Sequence, residues 1–201
     1  MEHKILVMEK PDWISYDEIA HFLHDAHREN VKRGLNYRAS HISGEEIQAL
    51  LHDNGKFYVA TTEENELVGV SAIEIKERSN RWYTKGQPYG EIKLEGVKPE
   101  YRGMRINSML RDAIAEYAFQ KVDLLVLDTA EKNTHAIYVN EKRGWKIVDY
   151  KSWNTNSFYS VVMAQWKNGC PYSEAERLFH YWLRKMYVRM RYNRNGKRRL
   201  L

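Results

Sequence analysis

Two spacings of apolar residues alternate along the chain, and each predicts a different element. Ile19, Phe22, Leu23, Ala26 and Val31 recur three and four apart, which lays an apolar stripe along a helix. Ser15 followed by Glu18 reads as a capping box at its start, and Gly34 closes it. A second helix follows Ser43, with Glu46 three residues on and Ile47, Leu50 and Leu51 on its apolar face. Lys4 to Met8, stopped by Pro11, predicts a short strand. Lys56 to Thr62 and Glu66 to Lys76 predict two more, joined as a hairpin by Glu63-Glu64-Asn65. After a polar and aromatic loop, Ser79 to Tyr89, comes a strand from Gly90 to Val97 that Pro99 ends. Met104 to Gln120 is amphipathic at helical spacing, with Ile106, Met109, Leu110, Ile114, Tyr117 and Ala118 on one side. Val122 to Asp128 predicts a compact strand and Asn133 to Lys142 a short helix. Strands at Trp145 to Trp153 and Ser157 to Trp166 follow. A last helix opens at Ser173, with Leu178, Trp182, Met186 and Met190 recurring at i+4.

Hairpins with helices set between them, and one strand–helix–strand crossover from residue 90 to residue 128, define the expected class. It is α/β (α+β), with a mixed, mostly antiparallel sheet of about seven strands flanked by helices. Residues 1–168 form the domain and residues 169–201 a basic amphipathic helical extension. No internal repeat or low-complexity stretch interrupts the 201 residues.

Charge changes this picture at one end. The net charge is +5, but residues 171–201 hold nine Lys/Arg against two Glu, a net of +7, which leaves −2 for the first 170. The basic character belongs to the tail. With 43% hydrophobic and 12% aromatic residues the chain can bury a core. Cys170 stands alone, so no intramolecular disulfide is expected, which suits a reducing cytoplasm. No run approaches the roughly 20 apolar residues of a membrane span, and Met1-Glu2-His3-Lys4 has no leader-like apolar region.

Candidate chemistry concentrates between Glu91 and Leu110, which reads as a strand, a tight turn and a helix start. A helix N-terminus offers orphan amide donors and about half a positive charge, a cradle for a diphosphate. Arg102 and Arg105 add permanent charge there, and Gly103 lets backbone approach a ligand. An ordinary strand-to-helix turn with solvated arginines fits the same residues.

The run Val97-Lys98-Pro99-Glu100-Tyr101-Arg102-Gly103 before a helix resembles the Arg/Gln-x-x-Gly-x-Gly/Ala motif of the GNAT superfamily of acyl-CoA N-acyltransferases. Downstream, Asn133-Thr-His-Ala136 ending in Gly144-Trp145 resembles that family's second signature, Asn-x-x-Ala then Gly-Phe. The resemblance covers residues 56–166 and implies an N-acetyltransferase that uses acetyl-CoA as cosubstrate, with no metal. It implies a sheet splayed between strands 90–98 and 122–128, with the pantetheine arm on the strand edge at Val97. It places the diphosphate on amides from Gly103 to Asn107, giving Val97, Lys98, Arg102, Gly103, Met104, Arg105, Ile106, Asn107, Asn133 and Ala136 as cofactor-binding residues. Two positions depart from the motif: Arg105 and Asn107 stand where later glycines are usual. The family's general-acid tyrosine position holds Asn140, and Tyr138 lies two residues earlier, about 200° around a helix.

Transfer to an amine needs a proton acceptor. Glu91 is the first candidate, because Gly90-Glu91-Ile92 resembles the Ala-Glu-Ile of histone-type members, whose glutamate is the base. Period-2 spacing puts Glu95 on the same strand face as Glu91 and Lys93, which makes it second. A solvated face of paired charges is the alternative for all three. The resemblance gives oxyanion stabilisation to the Val97 amide. Asn133 also suits an N-cap, and His135 a surface position. The acceptor, a small-molecule or peptide amine, would enter between residues 35–42 and 79–89, where Tyr37, Trp82, Tyr83 and Tyr89 line a pocket or anchor the loop. His21, His24 and His27 share a helix face, but with no cysteine or carboxylate pattern beside them they read as an exposed side rather than a metal site. For the tail, docking of its apolar stripe on the domain is expected. A homodimer contact, an anionic membrane or nucleic acid are its other possible uses.

Overall fold

In the computed structural model, residues 4–51, 54–152 and 158–198 are described. The expected strand ends at Trp153 and Ser157, the first three residues and the last three lie outside these. The architecture is a mixed α/β fold with a seven-stranded, mostly antiparallel sheet and five α-helices. The chain divides into two compact units, Met1–Leu125 and Val126–Leu201.

The first unit holds β1 (Ile5–Glu9), α1 (Tyr16–Lys32), α2 (Gly44–Leu51), β2 (Gly55–Thr62), β3 (Leu67–Lys76), β4 (Tyr89–Val97) and α3 (Ile106–Ala118). Its strands run β1-β2-β3-β4, each antiparallel to the next. The capping box forms as the spacing predicts: Glu18 N–H donates to Ser15 Oγ at 3.1 Å and Ser15 N–H to Glu18 Oε2 at 2.7 Å. Ser43 and Glu46 repeat the arrangement at α2.

One sheet face buries Phe57, Val59, Val70, Ala72 and Leu94 against Ile19, Leu23 and Ile47 of α1 and α2. The other face takes α3 through Ile106, Leu110, Ile114 and Ala118, all essentially inaccessible. Met109 is 36% exposed, so it sits at the stripe's edge rather than within it. The close seat of α3 depends on Gly69, where a Cβ would come within 2.5 Å of Ile106 Cγ2.

β4 carries a bulge. Against β3, Lys93 pairs with Ala72 and Gly96 with Val70, so Leu94 and Glu95 together face Ser71. Leu94 takes φ 50°, in the left-handed region. The extra residue reverses the facing of the strand. Upstream, a Cβ on Gly90 would meet Ile73 and Ala118, on the α3 side; downstream, one on Gly96 would meet Leu23 and Ala26, on the α1 side.

The second unit holds α4 (Thr134–Lys142), β6 (Lys146–Ser152), β7 (Tyr159–Trp166) and α5 (Glu174–Arg198), and most of β5 (Leu124–Ala130), in strand order β5-β7-β6. Asn133 Oδ1 accepts from Ala136 N–H at 3.3 Å, capping α4. The helix ends in a Schellman pair: Trp145 N–H reaches the Asn140 carbonyl at 3.1 Å and Gly144 N–H, at φ 88°, the Glu141 carbonyl at 3.0 Å.

α5 corrects the expectation for the tail. Its Leu178, Trp182, Met186 and Met190 stripe is not docked: the four are 38%, 54%, 56% and 56% exposed. The helix lies on its own unit by the opposite face. Tyr181 and Val188 are buried, Arg177 Nη1 donates to the Ile147 carbonyl at 3.4 Å, and Lys185 Nζ sits 2.5 Å from Glu131 Oε1. Arg189 reaches the same carboxylate at 3.1 Å, and Tyr150 donates its hydroxyl to Glu131 Oε2 at 2.6 Å. The underlying surface offers acids and a ring, so the cationic, aromatic face satisfies it better than an aliphatic one.

Candidate functional site

The chemistry-bearing stretch of the first unit is built on two supports, the end of β4 and the start of α3. Lys98 N–H donates to the Val68 carbonyl at 2.9 Å. Successive amides of an extended strand point to opposite sides, so the Val97 N–H is directed away from β3. A short 3-10 turn, Pro99–Tyr101, then carries the chain to Gly103 at φ 85° and Arg105 at φ 62°. Arg105 is the N-cap of α3, and the first helical bond runs from Met109 N–H to its carbonyl at 3.0 Å. The amides of Ile106 and Asn107 precede that bond and have no intrahelical acceptor. Arg105 thus adopts the left-handed backbone that glycine favours, at a position where the resembled motif carries glycine. Asn107 Oδ1 is buried without a hydrogen-bond partner at the same helix start. Paired donors, a helix dipole and an open Gly103, with nothing within 4 Å of its Cβ position, fit a diphosphate.

Arg102 is held by the backbone of the protein itself. Its Nη2 donates to the Ala26 carbonyl at 2.7 Å, tying the turn to α1. Lys98 pairs with Glu66, whose other oxygen accepts from Tyr101 Oη at 2.6 Å.

The bulge separates the two candidate bases. Glu95 is not on the face of Glu91 and Lys93, as strict alternation requires, because the inserted residue turns it toward α3. There it meets Arg111 in a two-point pair, Nε to Oε1 at 2.6 Å and Nη2 to Oε2 at 2.7 Å. Burial works against the Arg111 charge, but the Glu95 carboxylate holds its guanidinium pKa above the ordinary value. Glu95 thus ties β4 to α3. Its carbonyl is held separately: His27 Nε2 bonds to it at 2.8 Å, and Asn30 Nδ2 donates to His27 Nδ1 at 3.0 Å, which leaves the proton on Nε2. Burial lowers the His27 pKa, against the opposing pull of that backbone bond.

Glu91 lies on the other face, its side chain 16% exposed and 3.0 Å from Lys93 Nζ. Lys93 also reaches Glu74 at 2.6 Å, and Lys76 pairs with Glu74. Burial opposes ionisation of Glu74, yet the bonds from Lys76 and Lys93 keep its pKa below the usual carboxylate range. Tyr89 stands at the head of this face, its hydroxyl pKa raised by burial and by the Glu91 charge. Tyr83 is 1% exposed and accepts from Arg81 Nη1 at 2.8 Å, and Thr84 Oγ1 donates to the Ser79 and Arg81 carbonyls; both anchor the 79–89 loop. Trp82, half-buried, packs edge-on against Tyr83. Tyr37 packs against the His27 ring at 5.4 Å.

The helical histidines are not an exposed side. His24 and His27 are half-buried and bond to the carbonyls of Ile42 and Glu95; of the three, only His21 is exposed. No group of three or more metal-ligating side chains occurs among the described residues.

In the second unit, Asn133 spends its side-chain oxygen on the α4 cap. Asn140 is 2% exposed and donates to Met163 Sδ at 3.6 Å, whereas Tyr138 is 58% exposed on the outer side of α4. His135 is exposed. Sequence reasoning missed Arg111, Asn30 and Glu74, and read His27 as part of an exposed side. Arg111 had a signal: it directly follows Leu110 on the flank of the apolar stripe, where a charge needs a buried mate. The His27–Asn30 pair acts on a carbonyl 68 residues away, which local pattern does not reveal.

Comparison with known proteins gives this arrangement its class. The sequence profile of the acetyltransferase (GNAT) family matches residues 16–145, and the chain belongs to that family. No curated protein matches it by sequence. The fold is similar to that of a putative acetyltransferase from Acinetobacter baylyi, at TM-score 0.65 and 15% identity over 87% of this chain and 99% of that one. It is also similar to Arabidopsis thaliana NAA60 in complex with acetyl-CoA, at TM-score 0.63 and 16% identity over 83% and 100%. The ribosomal-protein-S18-alanine N-acetyltransferase of Escherichia coli aligns at TM-score 0.58 and 12% identity over 80% and 92%.

Proposed function

We propose that this protein transfers an acetyl group from acetyl-CoA to a primary amine. The observation that carries the reading is the helix start at Arg105, whose left-handed backbone opens α3 with the amides of Ile106 and Asn107 outside the helical bonds. The diphosphate sits on the amides from Gly103 to Asn107, with the Arg105 guanidinium beside it. The Val97 N–H, directed away from β3, donates a hydrogen bond to the thioester oxygen and stabilises the negative charge that develops there. Glu91 takes the amine proton, directly or through water, while Lys93 and Glu74 fix its position. The amine nitrogen then bonds to the acetyl carbon, the carbon–sulfur bond breaks, and the proton that the nitrogen sheds on forming the amide passes through water to the sulfur, so that coenzyme A leaves as the thiol. The amine acceptor is a small molecule or a peptide terminus, entering over the face that carries Tyr89 and Glu91.

Two features favour a second reading, an acyl-CoA-binding module with weak catalysis: Asn140 is buried, and Tyr138 is turned to solvent. Calorimetry with acetyl-CoA, beside thiol release on a panel of amines, separates the two. The enzyme reading expects binding and turnover, with Glu91→Gln lowering kcat by about 10²-fold or more while binding persists. Binding without turnover on any amine supports the second reading, and absence of binding sinks both.

A further inference from the structure

α5 leaves an apolar surface in solvent. Phe179, Trp182, Leu183, Met186, Tyr187 and Met190 are between 48% and 65% exposed in the folded chain. At about 100° per residue these six fill an arc of roughly 140° on one side of the helix. With about 200 Å² for a large side chain, they present on the order of 600 Å². That is at the upper end of what a monomer leaves open, about 300–600 Å².

We propose that a second copy of this chain covers the surface, with the two α5 helices packed antiparallel about a two-fold axis between residues 184 and 185. Three observations select this occupant. Two such surfaces together remove about 1,200 Å², above the roughly 1,000 Å² that a specific interface needs. The six residues are also self-complementary about that axis: Phe179 falls opposite Met190, Trp182 opposite Tyr187 and Leu183 opposite Met186, all sharing one midpoint, as a two-fold contact demands. Finally, the helix is acidic at its start, with Glu174 and Glu176, and basic in its later half, with Arg184, Lys185, Arg189 and Arg191. Antiparallel pairing sets acidic ends beside basic ones, whereas parallel pairing stacks the cations.

An anionic lipid surface fits less well. A helix lying on such a surface needs its cations along the edges of the apolar arc. Here Arg184, Lys185 and Arg189, the three within the arc's span, and Arg177 just before it reach Asp149, Glu131 and the Ile147 carbonyl of their own unit.

Sedimentation of the full chain tests the proposal. The expected species has twice the monomer mass of 24.0 kDa at micromolar concentration, and Trp182→Glu/Met186→Glu returns it to one. These side chains are in solvent, so the variant should keep its helical circular dichroism; if it does not, Met186→Glu alone carries the test. Orientation is read in a Cys170→Ser background by mixing Phe179→Cys and Met190→Cys copies under mild oxidation. Cross-linking between unlike copies is expected, and like-with-like linkage overturns the antiparallel register. A wild-type chain that stays at 24.0 kDa overturns the dimer. So does co-sedimentation with phosphatidylserine vesicles that is lost in the double variant.

Discussion

Arg105 holds a backbone conformation that a side chain disfavours by about 1–2 kcal/mol, and it does so at the mouth of the candidate cradle. Replacing it with glycine therefore separates shape from charge. Arg105→Gly is expected to raise the thermal midpoint by a few degrees, about 2–4 °C per kcal/mol for a chain of this size, and to weaken acetyl-CoA binding. A rise in stability with unchanged affinity would remove Arg105 from the diphosphate site. His27 makes a second test at this scale. Its pKa is lowered in the fold, so below the ordinary histidine value, about 6.5, the unfolded chain takes a proton that the native state refuses. Stability is then lost as pH falls toward the depressed value. Thermal melts between pH 7.5 and 5.5 should show a steeper decline for the natural chain than for His27→Gln, which keeps a donor for the Glu95 carbonyl and cannot titrate.

Elements were read from pattern with more success than the contacts between them. Both capping boxes, the hairpin at Asn65, the amphipathic α3 and the crossover from β4 to β5 follow from spacings visible in the chain. The bulge does not, because Gly90 to Val97 alternates without a break and the inversion is made by one residue, Leu94, whose side chain gives no hint of φ 50°. Hence Glu95 looked like a companion of Glu91 and is instead the mate of Arg111. Removing that mate leaves a carboxylate stranded against α3, and Arg111→Ala is expected to cost about 3 kcal/mol in denaturant unfolding. Gly69→Ala acts on the same helix from the sheet side. Its methyl group must displace Ile106, so a loss of about 1–3 kcal/mol is expected, with weaker coenzyme binding. Loss of stability without loss of affinity would show that the seat of α3 and the cradle are independent.

At the scale of the molecule, the family and the fold class were legible, because the residues that shape the Gly103 turn and the Gly144 cap lie in short contiguous runs. The attachment of α5 was not. An apolar stripe at i+4 says that something covers it, but not what, and the surface beneath the helix turned out to want cations. Lys185 and Arg189 sharing Glu131 with Tyr150 meet that want, and Glu131→Gln should loosen the helix, read as faster amide exchange along α5.

The inverted facing of β4 carries a consequence for how this protein can change. Because the bulge shifts the alternation, Glu91 upstream and Glu95 downstream face opposite sides of the sheet and take different partners, Lys93 for one and Arg111 for the other. Substitutions at Glu91 and at Arg111 are therefore expected to be additive in free energy, within about 0.5 kcal/mol, and a double-mutant cycle in denaturant unfolding checks this. Acceptor preference could then drift along the upstream half of the strand while the grip on the coenzyme stays as it was.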